Sequence, residues 1–167
     1  MKKLLLAVLV LALLSCSGNN QQSESVATAF ELDNLLAIAD QELNDTITVV
    51  GYVTHTCKHS GKRCFIVGES QKASLRVEAQ GEIGGFTAEL VGSKLAITGI
   101  LKEHHLSQEY IDGLEVDVKK LQQKEGMAEA CAAELSNISD MRKWMKEHNK
   151  NYYVIYYMDG LKYEVLD

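Results

Sequence analysis

Apolar and polar residues alternate over much of the middle of the chain, a pattern that predicts a mainly β protein. The strongest signal runs from Thr46 to Thr56, which is rich in β-branched residues. Further strands are predicted over four segments: Arg63 to Gly68, Ala73 to Ala79, Lys94 to Leu101 and Leu114 to Lys120. A helix capped by Asp33 is predicted to run to Asp40, and a short helical stretch from Phe86 to Leu90 precedes the fourth strand.

Three strands, a short helix and two more strands occur in the order of the five-stranded Greek-key barrel called the OB-fold. Gly51 and Gly99 lie within predicted strands, where such a barrel could bend sharply. The expected fold is mainly β with α: a five-stranded OB-fold-like barrel over residues 30–122, preceded by a short helix. Another small α+β sheet is the alternative.

The C-terminal part of the chain has a different pattern. Glu125 to His148 is predicted to be largely helical. Two aromatic and β-branched runs follow, Tyr152 to Tyr157 and Leu161 to Leu166, and the Asp-Gly pair between them is a hairpin signal. Residues 123–167 are therefore predicted to form a helix plus a β-hairpin. Its tyrosines could stack on sugars or simply pack together.

The first residues have the layout of a secretory signal peptide. Lys2 and Lys3 precede an apolar stretch from Leu4 to Leu14, which is shorter than the roughly 20 residues that span a membrane. Cys16, with leucine three residues ahead of it, resembles the lipobox of bacterial lipoproteins. That resemblance implies a signal peptide over residues 1–15 and acylation of Cys16. An ordinary signal peptide and an uncleaved anchor are the alternatives.

Residues 16–29 are predicted to be a lipidated, flexible tether, because the segment from Ser17 to Ser25 has no apolar side chain. The expected protein is exported and membrane-anchored, and it faces the periplasm. Ser17, in place of the aspartate that retains such lipoproteins in the inner membrane, implies the outer membrane. The expected partners are the membrane, through the lipid, and a small ligand or another envelope protein.

The charge balance argues against one class of partner. The chain has 17 lysine and arginine residues and 23 aspartate and glutamate residues. Loss of Lys2 and Lys3 with the signal peptide leaves 15 basic and 23 acidic residues, a net charge of −8. Nucleic-acid binders usually present a basic surface, because phosphate contacts and counterion release supply most of their affinity. Nucleic acid is therefore not an expected partner.

Candidate chemistry gathers around the first predicted hairpin. It comprises thiols, imidazoles and cations: His55, Cys57, Lys58, His59, Lys62, Arg63 and Cys64. If Cys57 pairs opposite Cys64, strand alternation places both sulfurs and His55 on the apolar face of the first strand. His104 and His105 are predicted in the loop after the fourth strand, which flanks the same end of an OB-fold.

Several interpretations of this cluster remain open. A Cys57–Cys64 disulfide fits opposed positions on antiparallel strands in an exported protein. Zinc or copper(I) fits the donor types, with ligands drawn from His55, Cys57, His59, Cys64, His104 and His105. A reactive thiol beside the three cations could do redox chemistry. Lys58, Lys62 and Arg63 could instead bind an anion, or form a solvated hairpin tip.

The hairpin contains a Gly-x-Val-x-His-x-Cys-Lys-His-x-Gly-Lys stretch that starts at Gly51 and ends at Lys62. With the preceding helix and the tyrosine-rich tail, it resembles bacterial OB-fold lipoproteins, a family that implies fold and location but no activity. No Ser-His-Asp context, Gly-rich phosphate loop or His-Glu-x-x-His helix favours an enzyme. The expected function is binding of a metal ion or small ligand at the Cys57/Cys64 end of the hairpin. A structural or protein-interaction lipoprotein is the alternative, and a thiol-dependent redox protein is the third.

Overall fold

Five strands of the chain close into a barrel, and a sixth strand joins it. The computed structural model describes residues 28–124 and 126–166. The strands are β1 (Thr28–Glu31), β2 (Thr46–Thr56), β3 (Arg63–Val67), β4 (Ser74–Ala79), β5 (Lys94–Ser107) and β6 (Tyr152–Leu166). The helices are α1 (Leu32–Leu35), α2 (Gln108–Gln122) and α3 (Ala128–Glu147), with 3-10 turns at Ala39–Gln41 and Ala88–Leu90. The predicted fold class, a mainly β chain with a five-stranded barrel and helices, is confirmed.

The predicted leader lies outside the described residues. This applies to the signal peptide over residues 1–15, to the acylated Cys16 and to the tether up to residue 27. The prediction that the tether extends to residue 29 is wrong, because Thr28 and Ala29 begin β1 and pair with β2. Among the helices in the described part, none is long and apolar enough to cross a membrane.

The strand order around the barrel is β2-β3-β4-β6-β5, and pairing of β5 with β2 closes it. β4 and β6 are parallel, whereas the other neighbouring pairs within the barrel are antiparallel. β1 is the additional strand, and it runs parallel to β2 beside residues 47–50. This arrangement is compatible with an OB-like fold.

Two separate cores hold the molecule together. Alternate residues of the barrel strands fill its interior, and the fully buried ones include Val49, Ile66, Leu75, Val77, Leu95, Ile97, Leu101 and Met158. Leu32 and Leu35 of α1 belong to the same core. The second core joins α2 and α3, here called the helical hairpin, to the outer ends of β5 and β6. Its buried members are Leu106, Ile111, Val118, Cys131, Ile138 and Met145. The predicted tail helix is confirmed as α3.

The prediction of a fifth strand from Leu114 to Lys120 is wrong, because this segment lies inside α2. Ser107 caps the helix, and its hydroxyl accepts the N–H of Tyr110 at 3.2 Å. Ile111 and Val118, two helical turns apart, are buried in the second core. Apolar residues four positions apart fit both a helix face and a strand face, so a short segment is ambiguous.

The predicted C-terminal hairpin is also wrong, because its two runs form one strand, β6. This strand pairs with β5 from Lys94–Leu166 to Ser107–Tyr152 and supplies the fifth strand of the barrel. Asp159 and Gly160 do not form a turn. Instead the register shifts there, opposite Gly99, which is a β-bulge. The C-terminal segment therefore completes the barrel rather than forming an appended hairpin.

The predicted helix from Asp33 to Asp40 is shorter and begins earlier. Glu31, not Asp33, precedes α1, which ends at Leu35. The Asp33 carboxylate instead accepts hydrogen bonds from the N–H of Ser70 at 2.9 Å and from its hydroxyl at 2.7 Å. These bonds lower the pKa of Asp33, first through the backbone N–H and then through the hydroxyl. Asp33 thus joins the N-terminal helix to the β3–β4 turn.

Replacement of Gly160 by alanine tests the close approach of β6 to the core. The added Cβ would lie 2.7 Å from Val77 Cγ1 and 3.2 Å from Ile83 Cδ1, so the neighbours must shift. We expect Gly160→Ala to lower the free energy of unfolding by about 1–3 kcal/mol, as overpacking does. Urea denaturation measures the change.

Gly113→Ala in α2 is the matched control. A Cβ at Gly113 meets no heavy atom within 4 Å, so the better helix propensity of alanine acts alone. We expect this variant to raise the free energy of unfolding by about 0.5–1 kcal/mol. If both substitutions changed the free energy of unfolding by the same amount, this would contradict the close packing at Gly160.

Candidate functional site

The hairpin of β2 and β3 carries the predicted chemistry, but its register differs from the predicted one. A bulge at Thr54 places Thr56, and not Cys57, opposite Cys64. The same bulge reverses the alternation of the strand, so that Thr56 is buried and His55 is exposed. The predicted pairing of Cys57 with Cys64 is therefore wrong.

Cys57 and Cys64 differ in their surroundings. Cys64 is fully buried in the barrel core, where burial, followed by the Glu78 carboxylate, raises the pKa of its thiol to about 12. Cys57 is partly exposed in the turn after β2. Within the described residues these two thiols and that of Cys131 are all free. The prediction that His55 and Cys57 share the interior face with Cys64 is wrong, and the register on which the disulfide hypothesis depends is absent.

The turn that follows β2 is tied to the loop before the second 3-10 turn. The N–H of Gly61 donates to the carbonyl of Cys57 at 2.8 Å, and Gly61 has a φ of +63°, which glycine adopts readily. The carbonyl of Gly61 accepts the N–H of Phe86 at 2.6 Å, and Lys62 Nζ donates to the carbonyl of Gly84 at 2.7 Å. Lys62 thus anchors the turn through its side chain.

Cys57 lies in an environment that stabilises its thiolate. Hydrogen bonding from the Ser60 hydroxyl, then from the backbone N–H groups of Ser60 and His59, lowers the pKa of the Cys57 thiol. The charge of Arg63 lowers the pKa further, by a smaller amount. Cys57 is also the more accessible thiol of the hairpin, because Cys64 is buried.

His104 and His105 lie within β5, so their predicted position in a connecting loop is wrong. They are paired with Ile155 and Val154 of β6. The His105 ring stacks on Tyr152 with a centroid separation of 3.9 Å, and its Nε2 lies 3.0 Å from Glu103 Oε1. Continuation of β5 beyond the barrel moves both histidines into the ribbon that carries the helical hairpin.

The predicted metal ligands do not form a donor group in the part of the chain that the structure describes. There, no cluster of three or more His, Cys, Asp or Glu side chains could hold a metal ion. His55 faces outward, His59 and Lys58 are exposed in the turn, and Cys64 is inside the barrel. Zinc and copper(I) therefore have no preformed site among residues 28–124 and 126–166.

A row of ring and guanidinium side chains crosses the outer surface of the barrel. The His55 and Phe65 rings, on β2 and β3, have centroids 6.0 Å apart. Phe65 pairs with Arg76 on β4, and the Arg76 guanidinium lies 4.9 Å from the centre of the Tyr157 ring on β6. We call His55, Phe65, Arg76 and Tyr157 the aromatic row. The side chains of Phe65, Arg76 and Tyr157 are half-buried, so the Phe65 and Tyr157 rings each still offer an accessible surface.

Sequence reasoning identified only His55 of the aromatic row. A signal existed for Phe65, because it lies between Cys64 and Ile66 in the predicted second strand and must point away from them. Tyr157 could not be placed from the sequence, because it was assigned to a separate hairpin.

The charges beside the aromatic row nearly cancel. Arg63 Nε lies 2.8 Å from Glu78 Oε1 and donates a hydrogen bond to it. Arg76 Nε lies 3.1 Å from the same oxygen, but outside hydrogen-bond geometry, and it makes no hydrogen bond to the described residues. Glu78 on β4 lies opposite Asp159 on the neighbouring strand, β6. Arg63, Glu78 and Asp159 thus border the row, and Arg76 belongs to it.

No protein-family model and no curated protein matches the sequence. Among solved structures, the chain is similar to a DUF3299 family protein from Pseudomonas aeruginosa PAO1, at 8% identity and a TM-score of 0.41, over 84% of this chain and 97% of that chain. It is also similar to a Leishmania major Friedlin chain assigned as an aspartyl-tRNA synthetase, at 10% identity and a TM-score of 0.41 over 88% of this chain. The chain spans 22% of the length of that synthetase chain.

Alkylation as a function of pH tests the environment of Cys57. We expect iodoacetamide to modify Cys57 with a midpoint below that of an unperturbed thiol, about pH 8.5, because the lowered pKa raises the thiolate fraction near neutral pH. Cys64 and Cys131, both buried, should react only after unfolding. Pulse labelling followed by peptide mass spectrometry measures each site.

Ser60→Ala removes the hydrogen bond with the largest effect on Cys57 and should move the midpoint to higher pH. Ser107→Ala, which removes a hydroxyl at the distant start of α2, should leave it unchanged. A Cys57 midpoint that does not respond to Ser60→Ala would rule out this account of the thiol.

Proposed function

We propose that the chain is a lipid-anchored envelope protein whose barrel binds a ligand on the aromatic row. The observation that carries this proposal is the continuity of the row across four neighbouring strands, β2, β3, β4 and β6. In OB-type barrels, the face formed by the second and third barrel strands is a common ligand-binding surface. Those strands are β3 and β4, and they contribute Phe65 and Arg76.

The chemistry of the aromatic row favours an oligosaccharide. Phe65 and Tyr157 offer apolar ring surfaces on which sugar rings stack. Arg63 can donate hydrogen bonds to sugar hydroxyl groups, and the carboxylates of Glu78 and Asp159 can accept hydrogen bonds from them. Since these charges nearly cancel and the chain has a net charge of −6, a polyanion gains little attraction from this surface.

The site predicted from the sequence lies at the Cys57/Cys64 end of the hairpin, whereas the aromatic row lies on the outer surface of the barrel. His55 remains part of the site, whereas Cys64 is excluded by its burial in the barrel. Two cations of the predicted anion-binding loop have partners within the protein. Lys62 donates to the carbonyl of Gly84, and Arg63 pairs with Glu78. Lys58 is also exposed in the turn.

The accessible Cys57 thiol supports a second candidate function, thiol exchange with a partner protein. The Cys57 thiolate would attack a disulfide of that partner, form a mixed disulfide with one sulfur and release the other as a thiolate. A second thiol from outside the barrel would have to resolve the mixed disulfide, because Cys64 is buried. Substitution of Cys57 leaves the aromatic row intact and therefore separates the two functions.

Lipidation at Cys16 is tested by intact mass of the protein extracted from membranes. We expect the chain to begin at Cys16 and to carry the added mass of acyl chains, and Cys16→Ser to carry none, because the thiol is the acylated group. Cys57→Ser should keep the lipid. The same lipid mass on the Cys16→Ser variant would disprove acylation at this residue.

Ligand binding is tested on the full chain in a non-ionic detergent. The probes are chitohexaose, maltohexaose, hexagalacturonate and a six-nucleotide single strand, and calorimetry measures their affinities. We expect at least one oligosaccharide to bind more tightly than the nucleotide. Phe65→Ala and Tyr157→Ala should each weaken that binding about tenfold, which corresponds to about 1.4 kcal/mol, by removing a stacking surface.

Tyr110→Ala provides the matched control, since Tyr110 is an exposed ring on α2, outside the aromatic row. It should leave the affinity unchanged, and circular dichroism should show that all three variants remain folded. Tighter binding of the nucleotide than of every sugar would overturn the ligand class. Unchanged sugar binding in both row variants would overturn the site.

A further inference from the structure

A cavity of about 210 Å³ lies between the segment that follows α1 and the end of α3. Residues 36–41 form one wall. The other wall is formed by Trp144 of α3 and by His148, the C-cap residue of that helix. Tyr156 of β6 completes the lining. Tyr156 and Tyr157 are consecutive in β6, and strand alternation points them to opposite faces, so this cavity is separate from the aromatic row.

The cavity walls combine aromatic rings with one carboxylate. Trp144 and His148 stack with ring centroids 4.2 Å apart and an interplanar angle of 19°. Leu36 and Ile38 add aliphatic surface on the opposite wall. Asp40 is the acidic residue of the lining. A recess that combines aromatic rings, aliphatic side chains and one exposed carboxylate can accept a ligand that carries one positive group on a small apolar body.

The Asp40 carboxylate is exposed and lies next to a phenol rather than a cation. Its partner is the Tyr156 hydroxyl, which donates a hydrogen bond to Asp40 Oδ1. Burial, and then Asp40 itself, raises the pKa of Tyr156, so the phenol stays neutral and acts as a donor. In the part of the chain that the structure describes, no salt bridge includes Asp40.

The side chain of Lys150 lies beside one ring of the cavity, Trp144, and one ring outside it, Tyr152. Its ammonium nitrogen lies 5.5 Å from the ring centres of both Trp144 and Tyr152, within cation–π range. Lys150 is not part of the cavity lining, so its ammonium does not occupy the recess. The recess therefore combines the Trp144 ring, which lies within cation–π range of a lysine, with the Asp40 carboxylate, which makes no salt bridge to the described residues.

We propose that this cavity binds a small organic ammonium ion that carries an aromatic or similarly sized apolar group. The ammonium would bind Asp40, and the apolar group would pack against Trp144, Tyr156 and the aliphatic wall. The cavity volume is below the roughly 300–1,000 Å³ of sites for drug-sized ligands, which limits the ligand to a single ring with a short chain. This site is independent of the proposed function of the aromatic row.

Trp144 provides a direct readout, because it is the only tryptophan of the chain and lines the cavity. The full chain in a non-ionic detergent is titrated with 2-phenylethylammonium chloride while tryptophan fluorescence is recorded. The neutral 2-phenylethanol, which has the same ring and chain length, is the matched probe. We expect a saturable fluorescence change with the ammonium ion, and at least tenfold weaker binding of the alcohol.

Asp40→Asn tests the carboxylate. The asparagine side-chain oxygen can still accept the hydrogen bond of Tyr156, so the substitution removes the charge and keeps the contact. We expect ammonium binding to weaken at least tenfold. Asp117→Asn, at an exposed aspartate of α2 outside the cavity, should leave the affinity unchanged.

Three outcomes would overturn this proposal. The first is the absence of a saturable fluorescence change with the ammonium ion. The second is equal affinity for the ammonium ion and the alcohol, which tests the charge on the unmodified chain and needs no variant. The third is undiminished ammonium binding by an Asp40→Asn protein that circular dichroism shows to be folded.

Discussion

The pairing of β5 with β6 is the constraint on which the rest of the structure depends. One antiparallel ladder, with a single bulge opposite Gly99, runs from Lys94–Leu166 to Ser107–Tyr152. Its inner part closes the barrel, and its outer part carries the helical hairpin, whose core includes Leu106 and packs against Tyr153 and Ile155. Both proposed binding sites draw on the junction between these parts. The aromatic row uses Tyr157 and the cavity uses Tyr156, so the same short stretch of backbone positions both.

The sequence predicted the elements whose signals are local. The strongly β-branched run of β2, the alternation in β3 and β4 and the helical stripe of α3 all gave the correct type, because burial of one face imposes a period on the residues themselves. The fifth barrel strand was misplaced because its pairing is not local. The Asp159–Gly160 pair has the composition of a turn, but strands on both sides of β6 hold it extended there. The alternating apolar residues around Val116 fit a strand when taken alone. Ser107, however, caps a helix that includes them.

The candidate site was predictable only in part, and the reason is a single bulge. The sequence located the β2–β3 hairpin and its reactive residue types, and it placed His55 near them. It assumed unbroken alternation, whereas the bulge at Thr54 reverses the orientation of every residue that follows in β2. The Thr54 hydroxyl donates to the carbonyl of Phe65 at 3.3 Å, a contact that no spacing rule encodes. His55 therefore joins Phe65 outside the barrel instead of joining Cys64 inside it. Whether side chains on four strands line up in a row depends on the register of each strand pair, and those registers are defined only in the folded sheet.

Closure of the barrel by its last strand in chain order has a consequence for how the chain acquires its structure. A polypeptide synthesised from its N-terminus delivers β2, β3, β4 and β5 before β6. Until residues 152–166 arrive, β4 and β5 each keep an unpaired edge that would otherwise be covered by β6. Exposed edges of this kind recruit other strands and promote aggregation. The helical hairpin, formed from contacts between neighbours in sequence, can assemble during this interval, whereas the barrel cannot. Synthesis and delivery of the final strand therefore set the earliest moment at which the aromatic row and the cavity can exist.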